Sequence, residues 1–336
     1  MKSCRAVIMA VLALFPLKAL TQASDPLSLV QIIKLSPDFT GHFDHFGVDL
    51  KHNRLFATPL DHKTVEVFNI RNGRHVYSIA GIAGEPHAVV YRGDINKIYV
   101  TDGEGSLRVM NGRSYDIIRT VKLLPDASSM GYDQGSKYLY IDNGGKEAGL
   151  EYSMLSIVDT TQGDKVAEIK MDSTALEAMA FERRTPRMYI NNRSKNEVAI
   201  IDREKRTVVG TWPITMGKAN KAMALDETNH RLFVGCRSGV IVVINTKSGE
   251  ELQALPITKM VDDMAFEPSS GRIYAAGDGG AEVYQAIDTD HYKLLGRVVT
   301  GPLAKTACLV PEIKRYFVAA PRDGNRNAEI LVYKVN

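Results

Sequence analysis

Apolar and polar positions alternate along this chain in short runs separated by turns. Residues 96–112, NKIYVTDGEGSLRVMNG, are one instance. Ile98, Tyr99 and Val100 are strand formers, Asp102 to Gly105 interrupt them, and Leu107 to Met110 resume the run. The pair Ile98-Tyr99 recurs as Leu55-Phe56, Leu139-Tyr140, Met188-Tyr189, Leu232-Phe233, Ile273-Tyr274 and Tyr316-Phe317. Successive aromatic members are 43, 41, 49, 44, 41 and 43 residues apart, which is a repeat and not a scatter of hairpins. Most pairs follow a turn with a basic residue, as in KHNRLF, SGRIY and IKRYF. An apolar run precedes each pair (AVVY, AMAF, DMAF). A strand ending in Asp or Asn follows it (VEVFN, LSIVD, IVVIN), and a further strand closes the unit (RHVYSIAG, TVVGTWPI). The repeats show no helical periodicity. The pattern predicts seven antiparallel units of four strands each.

A four-stranded unit with a period in the low forties is the blade of a β-propeller, so the predicted fold is an all-β seven-bladed β-propeller. A β-sandwich would not require a repeat held in register along the chain. The seventh unit supplies only three strands, the last in AEILVYKVN, whereas an orphan strand, SLVQIIKLS at 28–36, precedes the first unit. This N-terminal strand is expected to complete the last blade, closing the ring and hiding edges otherwise open to aggregation. IYVTDG resembles the hallmark of YVTN repeats, with Tyr99-Val100-Thr101 matching and Asp102 in place of Asn; MYINN at 188–192 is a looser copy. From about residue 28 onward the chain resembles the YncE-like, YVTN-type exported propellers of bacteria. It lacks the Trp-Asp pairs of WD40 repeats, its one tryptophan, Trp212, preceding Pro213, and it lacks the double glycines of kelch repeats at matching positions. The resemblance implies the fold. Function stays open, because propellers host lactonases, lyases, redox-enzyme subunits and plain binding proteins.

Residues 1–23 read as an export signal. Lys2 and Arg5 form a basic start, Ala6 to Leu17 an apolar run of 12 residues, and Thr21-Gln22-Ala23 a small-residue cleavage site. The run is shorter than the about 20 residues that span a bilayer. The remaining residues, 24–336, are expected to form a single propeller domain, periplasmic or secreted, monomeric and without a transmembrane segment. Removing the signal takes Lys2, Arg5 and Lys18 with it, so a formal charge of +3 falls to zero. A neutral chain has no global field for phosphate backbones, which disfavours nucleic acid. Cys236, in the second strand of blade five, and Cys308, in the first strand of blade seven, are expected to stay unbridged.

The repeat register places a polar residue at the start of each innermost strand: Asp44, His87, Ser128, Glu177, Lys221, Asp262 and Lys305. Innermost strands line the central channel, so these seven are expected to ring its mouth as a candidate ligand site. A one-residue shift in blade one sets His45 against His87 instead. Two histidines with Glu177 and Asp262, or Asp263, would then make a possible divalent-metal set. The bland reading is a hydrated channel mouth. The insertion DNGGKEAGLEY at 142–152, on the same face, suits a lid or specificity loop, and PRDGNRN at 321–327 offers two arginines. Met130, Met179, Met223 and Met264, one per blade, read as core packing, and His42, His52, His62 and His75 as solvated turn residues. Phosphate-loop, haem-attachment and Gly-x-Ser-x-Gly signatures are absent from the sequence.

These features fit an exported binding or scaffold protein that meets a small molecule or a protein on its loop face. The alternative is a lactonase- or lyase-type enzyme in which funnel carboxylates hold a divalent cation and His87 or His45 moves a proton. Single-stranded nucleic-acid binding is disfavoured further by the single Trp and the lack of an aromatic-basic stripe along the sequence.

Overall fold

Alternating apolar residues give each repeat four short strands, and each repeat forms one antiparallel sheet in the computed structural model, which describes residues 25–336. Seven such sheets stand around a ring as blades one to seven, which is the predicted propeller. In blade two the strands run Pro86–Arg92, Lys97–Asp102, Ser106–Asn111 and Ile117–Lys122, so the hairpin at 96–112 joins its second and third strands. Among the described residues the only helical elements are three 3-10 turns of three residues. The expected export signal at 1–23 lies outside the described residues. Among the described residues no helix is long and apolar enough to cross a membrane.

Burial follows strand position. Second and third strands are almost wholly buried, and fourth strands, such as His75–Ala80, are mostly exposed at the rim. First strands edge the channel and vary, from half-buried Asp263–Glu267 to almost wholly buried Asn220–Asp226. Seven apolar clusters fill the seven gaps between neighbouring blades, among them one joining blade seven to blade one through Phe317, Ile330, Leu55 and Phe68. All seven landmark aromatics are at most 1% exposed, so each repeat contributes one ring to the core. Losing one such ring to alanine costs about 3–5 kcal/mol. Tyr99 keeps its hydroxyl satisfied inside by donating to the Thr160 carbonyl at 2.7 Å. The methionine row packs against these clusters as expected, Met223 buried and Met130, Met179 and Met264 partly so.

The closing strand lies where predicted, shifted slightly to Leu27–Lys34. It pairs antiparallel with Glu329–Val335, completing blade seven with a strand from the opposite end of the propeller. Ile33 and Leu35 enter the blade seven–blade one core, and the Asn336 side chain donates to Asp25 O at 2.7 Å. Cys236 and Cys308 are both free thiols, the former fully buried.

Candidate functional site

Strand pairing fixes the polar ring without reference to side chains. The landmark aromatics pair with Gly47, Val90, Gly131, Ala180, Ala224, Ala265 and Cys308. Three residues before these stand Asp44, His87, Ser128, Glu177, Lys221, Asp262 and Lys305. The seven candidates therefore occupy equivalent places at the innermost edge. The alternative shift in blade one is corrected, since the counterpart of His87 is Asp44 and not His45. His45 reaches the same space from the next position. Neighbouring blades are tied there by the polar residue two places after the landmark. Thr58 Oγ1 donates to His87 O at 2.8 Å, Thr101 Oγ1 to Ser128 O at 2.9 Å, and Asn191 Nδ2 to Lys221 O at 3.0 Å. The threonine of the YVT triplet thus holds the next blade's ring residue by its carbonyl.

The ring residues form two chains of charge. In one, His87 bonds to Asp44, His45 lies 3.4 Å from Asp44, and His45 Nδ1 meets Asp263 Oδ1 at 2.9 Å. Asp263 also accepts from the Ala307 backbone at 2.8 Å, so this chain links blades one, two, six and seven. In the other, Lys221 pairs with Glu177 and lies 3.6 Å from Asp262, which also takes Lys305 at 3.1 Å and Arg237 at 2.8 Å. Arg193 adds a second cation to Glu177 at 3.0 Å. At Asp44, His45, Lys221 and Asp262 burial works against the charge, and the partners override it. His45 is held up at about 10 by Asp44 and Asp263, and Asp44 is held down at about 2 by His45 and His87. Asp262 lies below the usual carboxylate range under Lys221, Lys305 and Arg237, and Lys221 above the usual amine range under Glu177 and Asp262.

The residues of the possible divalent-metal set are drawn into these pairs. Among the described residues no three His, Cys, Asp or Glu side chains converge to hold an ion. His45, His87, Glu177 and Asp262 are not a coordination sphere: the two acids are spent on lysines and arginines, and the two histidines on aspartates.

Between blades three and four, two acids beside the ring have no ion-pair partner among the described residues. A cleft of about 440 Å³ opens there, with Ser128, Glu177 and Lys221 of the ring in its wall. Two aspartates that the ring register does not mark, Asp126 and Asp142, face it from blade three. Asp142 occupies the place that Thr58, Thr101 and Asn191 fill in other blades, is 4% exposed, and leaves Oδ1 without a partner. Burial pushes its carboxyl well above the usual range, with Glu177 and Asp126 adding repulsion. Burial likewise lifts Asp126 to about 6, with Glu177 and Glu147 adding to it against His87 and Lys221. The insertion at 142–152 supplies one rim through Lys146 and Glu147, both exposed and of opposite sign. It is docked by Lys146 N donating to Thr174 O at 2.9 Å. Gly145 (φ 82°) permits that approach, since a Cβ there would lie 2.5 Å from Thr174 O.

Other sequence candidates fall elsewhere. Arg322 of the 321–327 loop bonds to Pro37 O at 3.2 Å, and Arg326 lies 3.6 Å from Glu329. His42, His52 and His75 are exposed at turns, whereas His62 is half-buried, stacked on Phe39 at 4.1 Å. Arg193, Arg237 and Asp126 went unmarked, because they come from connections between strands, where the repeat sets no side-chain direction.

No family model and no curated protein matches this chain. Solved structures do. A chain of Kuenenia stuttgartiensis hydrazine synthase is 17% identical, with a TM-score of 0.73 over 90% of this chain and 98% of that one. A chain of a mitotic checkpoint complex is 13% identical, with a TM-score of 0.76 over 100% of this chain and 99% of that one. Both likenesses show the seven-bladed fold and nothing finer.

Proposed function

We propose that this chain is an exported, YncE-like binding protein, periplasmic or secreted, whose rigid propeller presents the channel mouth as its recognition face. The ligand it takes at the cleft between blades three and four is a small organic cation, with an ammonium group against Asp126 and Asp142. One observation carries this reading: Asp142, 4% exposed, leaves Oδ1 without a partner beside half-buried Asp126, whereas the ring acids Asp44, Glu177 and Asp262 are each paired with a base. Lys221 and Arg193 are already engaged by Glu177, and Lys146 is offset by Glu147 at the rim. A cation seated there would supply the missing counter-charge and let Asp142 ionise, so binding would release protons. The volume suits a molecule of amino-acid or diamine size.

Calorimetric titration with 1,5-diaminopentane at pH 7, in buffers of different ionisation enthalpy, tests the reading. Saturable binding with proton release is expected, weakened at least tenfold (about 1.4 kcal/mol) in Asp142→Asn and Asp126→Asn. Equal binding by both variants would remove the cleft as the site.

A further inference from the structure

The face opposite the channel mouth carries a second and larger cleft, again between blades three and four, of about 840 Å³. Its residues come from three separate stretches, 132–140, 181–186 and 203–206. The turns between first and second strands and between third and fourth strands meet there. The sequence has no continuous aromatic-basic stripe, yet the fold assembles one. Tyr132, Tyr138 and Phe181 supply half-buried rings, and Arg183, Arg184 and Arg206 supply exposed guanidinium groups.

The floor of this cleft is rigid. Arg203 pairs with Asp133 of blade three, donates to Thr185 O at 2.6 Å and Pro186 O at 3.1 Å, and stands 5.7 Å over the Phe181 ring. Asp133 is held further by Ser136 Oγ at 2.7 Å and Gly135 N at 3.0 Å. That arginine and that aspartate cancel each other and bind the two blades together. The three rim arginines are different. Glu227 accepts the backbone N–H groups of Arg183 and Arg184, at 3.0 and 2.8 Å, which fixes the turn. Among the described residues their guanidinium groups, and that of Arg206, form no ion pair. Only Glu204 opposes them in the lining, so the cleft carries a local positive excess on a chain whose charge is zero beyond residue 23. Tyr132 has one face taken by Arg92 at 5.3 Å, whereas Tyr138 has no ring or cation stacked on it among the described residues.

Fixed rings beside unspent guanidinium groups select a particular chemistry. Guanidinium groups bind phosphate oxygens through paired N–H donors, and an open tyrosine face stacks a planar ring. We propose that this cleft binds a phosphate monoester carrying a planar ring, the chemistry of a free nucleotide, with phosphate at Arg183, Arg184 and Arg206 and the ring against Tyr138. The site is separate from the channel mouth, and the proposal does not rest on the amine reading.

The test is titration of the whole protein with adenosine monophosphate, adenosine and inorganic phosphate in turn, at moderate salt. Saturable binding of the monophosphate is expected, with adenosine and phosphate each at least tenfold weaker. Arg183→Ala with Arg184→Ala should weaken the monophosphate at least tenfold. Both are exposed, so the melting temperature should hold. Tyr138→Leu should weaken the monophosphate while leaving inorganic phosphate unchanged. Asp142→Asn, on the other face, should leave all three unchanged. Phosphate binding as tightly as the monophosphate, or a double arginine variant that binds like the parent, overturns the proposal. A thymidine oligonucleotide that binds the same cleft far more tightly than the monophosphate overturns its restriction to a small ligand. If Tyr138→Leu unfolds, the arginine variant decides alone.

Discussion

Asp142→Asn separates stability from binding in one substitution. In blade four the equivalent Asn191 donates from Nδ2 to Lys221 O at 3.0 Å and Ala222 O at 3.1 Å. By the same register an asparagine at 142 would face the Glu177 carbonyl of the next blade. It would supply one inter-blade hydrogen bond that an ionised aspartate cannot donate, worth about 1 kcal/mol net. It would also delete an acid whose folded-state pKa is raised well above 3.8 by burial and by Glu177. The sign follows from linkage. The unfolded chain ionises Asp142 from about pH 4 upward while the fold resists, so the parent loses stability as pH rises and the variant does not. The stability gain should be near zero at pH 4 and about 1 kcal/mol or more at pH 8, a rise in Tm of about 2 °C. Thermal melts followed by circular dichroism across that range measure it, with diaminopentane titrated on the same samples. The expected outcome is a more stable protein that binds amine less well. A variant less stable than the parent at pH 8, or a gain independent of pH, refutes the placement of Asp142 as a buried acid at the carbonyl-holding position.

The alkaline limb of stability should depend on His45. With its folded pKa raised from 6.5 to about 10, its contribution is complete below about pH 6.5 and is lost between there and pH 10. It is worth up to about 4 kcal/mol, counted once for the Asp44–His45 pair. His45→Gln should flatten urea-melt stability over that window, and an unchanged slope would mean that His45 is not charged in the fold. Deleting residues 25–34 should strip the outer strand from blade seven and expose Glu329–Val335, giving aggregation or a broad melt. A truncated chain that melts as sharply as the parent contradicts the closure.

Blade number, strand order and closure were legible in the sequence because each repeat buries its landmark ring against its neighbour, and that demand recurs every blade. The seven ring positions were legible for the same reason, since a fixed count from a buried ring ends on the same edge each time. The pairing among them was not. Glu177 and Asp262 read as members of a possible metal set. Whether Lys221 and Lys305 reach them depends on side-chain directions across different blades, which the period does not set. The register of blade one was ambiguous because only Gly47–Asp49 pair as its first strand, too short a run to choose between Asp44 and His45. The lower cleft was invisible because Tyr138, Arg183 and Arg206 stand in separate turns and meet only where blades three and four abut.

Completing blade seven with Leu27–Lys34 also sets a schedule for the polypeptide. Ser28 and Asn336, which touch in the finished ring, are separated by 308 residues of sequence. A ribosome makes Leu27–Lys34 before the six intact blades and Glu329–Val335 after them, so the circle cannot lock until the seventh blade has been made. Six blades can form in order behind the ribosome through contacts between neighbours, but the seventh waits, leaving the early strand and the nascent edge bare in the meantime. Such long-range pairing is slow to form. The locking step therefore falls after the other six blades have been made, and until then those two edges stay bare.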